Sequence, residues 1–266
     1  MFKNKILALI FSLVLVVALA PAALAHFGMI IPSEPTVMDT QKSNVTFEIK
    51  MWHPFENRGL NLVKPKSFRV LTGGNYTDLL GNLKEVKEDN FSTWTLDYKI
   101  ERPGLYTFLM EPVPYWEPAE DKFIIHYTKV YIDAFGDDEG WNEPIEGWKK
   151  EIVPLVKPGA VYAGNVFTGQ VLLDGKPSVG QDVEVEWYPG PDKKGQAPYE
   201  SMVTQVVQTD INGYFNFSPP VPGWWGFAAL SDADYKLQED GQDKDVELGG
   251  VLWVYFHEFE PSVPAK

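Results

Sequence analysis

Proline and glycine divide this chain into short segments, and no other feature limits its possible folds more. The 266 residues include 21 Pro and 22 Gly. The segments between them are rich in β-branched and aromatic residues, which favour strands. From Val45 to Trp52, apolar and polar side chains alternate with the two-residue period of a half-buried strand. The sequence therefore predicts an all-β protein.

Length and motifs divide this all-β chain into two tandem β-sandwich domains of the immunoglobulin or prealbumin type. Each would be large enough to bury a core. We place the N-terminal domain at 26–157 and the C-terminal domain at 158–266. The second contains an Asp174-Gly175 turn and the run Thr209-Asp-x-x-Gly-x-Phe215, similar to the prealbumin-like or carboxypeptidase-regulatory sandwich.

Two segments are expected to depart from this pattern of strands. Glu146 to Glu151 is the one stretch whose sequence allows a helical turn. Asp232 to Glu247 is acidic, and we expect it to form a solvated excursion.

The first 25 residues have the layout of a cleavable secretory signal. Lys3 and Lys5 precede an apolar run from Ile6 to Ala20, which ends at Pro21 and the small residues Ala23 and Ala25. The alternative is an uncleaved anchor, but the run is shorter than the roughly 20 residues that span a bilayer. The chain has no cysteine, so we expect neither a lipid anchor nor disulfides. The mature protein should be periplasmic, without a membrane span, and begin at His26.

The mature chain is strongly acidic. Cleavage removes two lysines and no acid from the 23 basic and 37 acidic residues, which leaves a formal charge of −16. Such a chain repels nucleic acid and anionic membrane surfaces. It has no Gly-x-Ser-x-Gly or His-Glu-x-x-His motif and no phosphate-binding glycine loop. We therefore predict a binding protein and not an enzyme.

Four histidines provide the remaining candidate chemistry. A terminal His26 would offer both its α-amine and its imidazole to one metal ion, and His53 or His126 could add further nitrogens. Such nitrogen-rich sets suit Ni²⁺ and Cu²⁺, and the thiolates that would favour Zn²⁺ or Cu⁺ are absent. Met29 could provide a soft axial contact, although methionine is more often a packing residue. His126, considered alone, would more often be structural.

Several multi-residue blocks resemble the periplasmic nickel/cobalt-uptake component family, whose members are secreted accessory proteins of energy-coupling-factor-type importers. The blocks are His26-Phe-Gly-Met-Ile-Ile-Pro-Ser33, Trp52-His-Pro-Phe-Glu56, Pro114-Tyr-Trp-Glu-Pro-Ala-Glu-Asp121, Phe123-Ile-Ile-His-Tyr-Thr-Lys-Val130, Glu151-Ile-Val-Pro-Leu155, Gly164-Asn-Val-Phe167 and Gly223-Trp-Trp-Gly-Phe-Ala-Ala-Leu230.

This resemblance implies that the protein captures Ni²⁺ or Co²⁺ and delivers it to a membrane-embedded transporter subunit. The implied ligands are His26, His53 and His126. The resemblance also implies that Glu56, Glu117 and Glu120 either support the histidine ligands or bind the ion in their place.

Two other functions remain open from the sequence. A terminal histidine also begins the copper-binding histidine brace of carriers and oxidative polysaccharide enzymes, with Cu²⁺ as the ion. A structural or carbohydrate-binding β-sandwich module would use the abundant aromatic residues and no metal.

Overall fold

The computed structural model describes residues 26–136 and 139–261, so the predicted signal peptide at 1–25 lies outside it. These residues form twenty strands, numbered here in chain order, and three short 3-10 turns at Thr40–Lys42, Leu80–Asn82 and Glu200–Met202. The part of the chain that the structure describes has no α-helix, and none of its helical turns is long and apolar enough to cross a membrane. The predicted all-β class is confirmed.

The strands form three sheets. The first outer sheet contains β1 (Phe27–Pro32), β3 (Asn44–His53), β8 (Phe91–Lys99) and β7 (Lys84–Glu88) in this order, with β4 (Arg58–Leu60) paired to β3. The second outer sheet contains β12 (Lys150–Pro154), β13 (Phe167–Leu173), β14 (Lys176–Pro177) and β17 (Tyr214–Phe217).

The central sheet has eleven strands and runs through both halves of the chain. Its order is β16 (Gln205–Gln208), β15 (Asp182–Tyr188), β18 (Gly223–Asp232), β20 (Gln242–Phe256), β11 (Lys122–Ala134), β9 (Gly104–Glu111), β5 (Ser67–Thr72) and β6 (Asn75–Asp78). Three short strands, β2 (Thr36–Val37), β10 (Tyr115–Glu117) and β19 (Leu237–Glu239), pair at its sides. The two halves meet where β11 and β20 run parallel.

The two outer sheets cover opposite faces of the central sheet, which gives two sandwiches with one shared sheet. On β20, Val251 and Trp253 pack into the first core, whereas Leu252 and Val254 pack into the second. A strand buried on both faces is apolar along its whole length and does not alternate. This burial explains the apolar run from Gly249 to Phe256 at the end of β20.

Strand pairing crosses residue 157, the predicted boundary between the two domains. Strand β12 lies before residue 157 and pairs with β13 after it. The acidic segment up to Glu247 is not a solvated excursion throughout, because β20 begins at Gln242 and pairs with both β18 and β11. Likewise, the expected helical turn at 146–151 is wrong, since this segment turns and then enters β12.

Candidate metal centre

His26 and His53 lie side by side at one end of the first outer sheet. Strands β1 and β3 are antiparallel, and their register pairs Phe27 with Trp52. The next position along this register brings His26 to His53, and their ring centroids are 4.6 Å apart. Strand β3 ends at His53 because Pro54 opens a turn that is closed by Asn57 in the left-handed conformation (φ 50°). The pairing of β1 with β3 therefore brings together two histidines that are far apart in sequence.

Two carboxylates face the ring of His26. Its Nε2 lies 3.3 Å from Glu117 Oε2, and its Nδ1 lies 3.9 Å from Glu120 Oε1. Both acids belong to a hairpin in which β10 pairs with the start of β11, and Asp121 makes the tight turn with φ 54°. The two acids that the resemblance implies as ligands thus both lie beside His26.

His126 lies on β11, inside the molecule. It is 1% exposed, and neither ring nitrogen has a hydrogen-bond partner. Its Nε2 lies 3.8 Å from Glu247 Oε1, which is longer than a hydrogen bond. A buried polar group without a partner is unfavourable by roughly 1–3 kcal/mol. A partner at either ring nitrogen would remove this penalty.

Two glycines make room for His126. A Cβ atom on Gly249, its neighbour on β20, would lie 2.3 Å from His126 Cδ2. A Cβ atom on Gly28, two residues after His26, would lie 3.3 Å from His126 Cβ. His126 also lines a cavity of about 20 Å³ with Met51 and Met110, which is large enough for one water molecule. The close approach to Gly28 brings His126 to the strand that begins beside His26.

Burial and neighbouring charges shift the pKa values of His26 and Glu247 in the same direction, downward. Burial and then the charge of His126 lower the pKa of His26, against the opposing effects of Glu117 and Glu247. A lowered pKa keeps the imidazole neutral at neutral pH, the form in which it binds metals. Burial opposes ionisation of Glu247, but His126 and Lys122 outweigh it and lower its pKa to about 2. The neutral ring of His26 and the ionised carboxylate of Glu247 therefore belong to the same site.

The other residues predicted for the metal site, and the fourth histidine, differ in burial and position. Met29 is fully buried in the first core, among apolar side chains. Glu56 follows the turn after His53, and its Oε2 is buried without a hydrogen-bond partner. His257, the fourth histidine, follows β20 at its far end and bridges to Tyr162. The structure thus brings His26, His53, Glu117 and Glu120 into one group, with His126 next to it.

The described residues do not form a finished metal site. Among 26–136 and 139–261, no group of three or more His, Asp or Glu side chains is already arranged to hold an ion. The nitrogen atom of His26 is an amide while Ala25 precedes it, and amides do not share the amine's basicity. The predicted cleavage would convert it into an α-amine and add the donor that the side chains lack.

A sequence profile described as "Domain of unknown function (DUF4198)" matches residues 23–233. The chain belongs to this family. No curated protein matches the chain. Among solved structures, it is similar to the D0-D1 domain of Intimin, with 14% identity over 88% of this chain and 100% of that one and a TM-score of 0.25. The fibronectin(III)-like modules of CbhA from Clostridium thermocellum show 8% identity over 90% and 99%, with a TM-score of 0.24.

Three acidic residues of the central sheet lie near this site and were not predicted from the sequence. Glu184 and Glu186 lie on β15, and Glu247 lies on β20. Burial raises the pKa of both Glu184 and Glu186 to about 7, and Glu247 and Glu120 are among the charges that act on Glu184. Acidic and apolar residues alternate along β15, which separates the two sides of the strand but does not show which sheet covers each side.

These raised pKa values predict that the folded protein loses stability as the pH rises from about 4.5 to about 7. The folded state holds the two protons more tightly than the unfolded chain, so the stabilisation is complete below the unfolded pKa and is lost as pH rises through the folded pKa. Glu184→Gln should be more stable than wild type by about 1–3 kcal/mol at pH 7.5 and equal to it at pH 4.5. Urea unfolding at both pH values measures this. The exposed Glu200→Gln serves as control, and a wild-type pH slope in Glu184→Gln would contradict the assignment.

Proposed function

We propose that the mature protein is a periplasmic binding protein that captures Ni²⁺ or Co²⁺ and delivers it to a membrane-embedded transporter subunit, without catalysing a reaction. One observation carries this proposal: His53, the last residue of β3, and His126, on β11, lie close to His26, the residue that cleavage would make the first. His26 and His53 have ring centroids 4.6 Å apart. The His126 side chain lies against Gly28, two residues after His26, where an added Cβ atom would be 3.3 Å from His126 Cβ.

The geometry around His26 suits an amine–imidazole chelate. Glu117 lies 3.3 Å from Nε2, close enough to hold the ring in orientation, as carboxylates do for metal-bound histidines. Nδ1, the nitrogen nearer the backbone, is the one that can close a ring with the α-amine. Glu120 Oε1 lies 3.9 Å from Nδ1, a separation that one ion bound to both atoms could bridge at roughly 2.0–2.2 Å from each. Neutral nitrogen and carboxylate oxygen together suit borderline divalent ions.

The test is an isothermal titration of Ni²⁺ and Co²⁺ into protein that begins at His26, compared with protein that carries one added glycine before His26. The first should bind one ion per chain. The added glycine converts the α-amine into an amide and should weaken binding by roughly 100-fold or more, since even loss of an indirect partner weakens metal binding 10–100-fold. Mass spectrometry of secreted protein must first establish the terminus.

Two results would contradict the proposal. If protein beginning at His26 binds neither ion, the metal function is wrong. If both forms bind equally well, the α-amine is not a ligand and the centre needs another description.

The second candidate is a copper histidine brace, and the contact between His26 and His53 favours it specifically. A brace needs the terminal amine, its own imidazole and a second imidazole, and these two rings are adjacent. Tight Cu²⁺ binding alone would not identify it, because Cu²⁺ binds most nitrogen sites more strongly than Ni²⁺ does. Oxidation of a polysaccharide by the copper-loaded protein and peroxide would favour this candidate, whereas its absence would favour transport.

A further inference from the structure

We propose that Glu247, on the last strand of the chain, is a direct ligand of the bound ion, paired with His126. This inference rests on the proposed function and adds to it a residue outside the predicted N-terminal domain. The centre would then be built from both halves of the chain and lie where they meet in the central sheet.

The separation of the two side chains fits an ion between them better than a direct bond. His126 Nε2 and Glu247 Oε1 are 3.8 Å apart. A hydrogen bond between nitrogen and oxygen needs about 2.7–3.2 Å. Nitrogen and oxygen ligands stand roughly 2.0–2.2 Å from a divalent ion such as zinc, so two atoms on one ion can be up to roughly 4.2 Å apart. The observed separation is therefore too long for a hydrogen bond but fits two ligands of one ion.

His126 is an unsatisfied group whose burial a bound ion would explain. It is 1% exposed, and both of its ring nitrogens lack hydrogen-bond partners. The glycine at position 249 leaves the space that the ring occupies, because any Cβ there would overlap it. A bound divalent ion would occupy one nitrogen and remove the penalty of leaving it without a partner.

Lys122 fixes the orientation of Glu247. Its Nζ donates to Glu247 Oε2 at 2.8 Å and lies 2.9 Å from Glu120 Oε2. Glu247 Oε1 is thereby turned toward His126, and Glu120 Oε1 toward His26. One lysine thus holds the carboxylates that face two of the proposed histidine ligands. Two carboxylates in a set of neutral nitrogens favour a divalent ion over monovalent copper.

The experiment compares wild type, Glu247→Gln and Asp245→Asn, all beginning at His26, by titration with Ni²⁺ and by the visible absorption of the Co²⁺ complex. Glutamine keeps the size of the side chain and an acceptor for Lys122 but loses the carboxylate. Asp245→Asn makes the same change of charge two residues earlier on β20, at an exposed position paired with Lys236. Thermal unfolding establishes that each variant is folded.

We expect Glu247→Gln to weaken Ni²⁺ binding at least 10-fold and to change the Co²⁺ absorption bands, with Asp245→Asn close to wild type. Wild-type affinity and bands in Glu247→Gln would overturn the inference and leave the proposed function intact. Weaker binding with unchanged bands would also overturn it, because Glu247 would then only position His126. Absence of binding by the wild type would instead contradict the proposed function itself.

Discussion

Replacing Glu151 with alanine should lower the free energy of unfolding by about 3–5 kcal/mol, one of the two largest effects we expect from a single substitution in this protein. Lys129 is fully buried, Glu151 is 3% exposed, and Lys129 Nζ lies 2.8 Å from Glu151 Oε2. Without the carboxylate, the ammonium group would stay inside the protein with its charge uncompensated. Urea unfolding of the mature protein measures the loss.

The expected loss of stability is larger because Glu151 also accepts a hydrogen bond from the backbone. Both of its carboxylate oxygens accept from the amide of Ile145, at 3.0 and 3.2 Å. The substitution therefore leaves an amide without its acceptor in addition to the unpaired lysine. Burial would lower the pKa of Lys129, but Tyr131 and Glu151 outweigh it and hold the pKa above its usual value. The ammonium group therefore stays charged in the wild-type protein.

A double variant distinguishes the effect of an unpaired charge on stability from the effect of lost packing. Lys129→Met combined with Glu151→Leu removes both charges and should recover most of the stability, as apolar replacements of buried ion pairs do. Asp97→Ala removes the partner of exposed Lys84 and should leave the unfolding curve close to wild type. A single Glu151→Ala variant as stable as Asp97→Ala would show that the buried pair contributes little.

Local patterns in the sequence were sufficient for some strands and not for others. Val45, Phe47 and Ile49 alternate with polar residues, and all three are buried on one face of β3. Here one face meets a core and the other does not, so a two-residue period appears in the sequence. The pattern fails for β20, where both faces are buried and no period remains. Which cores these faces meet depends on pairing with β11, more than a hundred residues away.

The same limit applies to the candidate centre. The resemblance and the terminal position of His26 were sufficient to nominate His26, His53, Glu117 and Glu120, and the structure brings these residues together. Glu247 was not nominated, because it ends an acidic stretch that is typical of a solvated loop. Its position beside His126 follows from the parallel register of β20 with β11. Such long-range pairing leaves no mark in the local pattern.

Gly249→Ala should weaken Ni²⁺ binding roughly 100-fold, comparable to the loss of a ligand's supporting partner, and should reduce stability by about 1–3 kcal/mol. The added methyl would lie 2.3 Å from His126 Cδ2 and 2.8 Å from its Nε2. The ring must therefore leave its position beside Glu247. Gly249 is not among the residues with positive φ, so the backbone accepts alanine and the effect comes from the overlap alone. Titration with Ni²⁺ and urea unfolding measure the two losses.

Combining Gly249→Ala with His126→Ala tests whether the ring is the cause. Without the imidazole there is no overlap, so the double variant should recover stability relative to Gly249→Ala but should not recover metal binding, since the ligand is gone. Gly81→Ala, where an added methyl would have no atom within 4 Å, should bind Ni²⁺ as the wild type does. If Gly249→Ala also binds like the wild type, the observed position of the His126 ring is not the one that holds the ion. The loss of stability would then report packing between β11 and β20 alone.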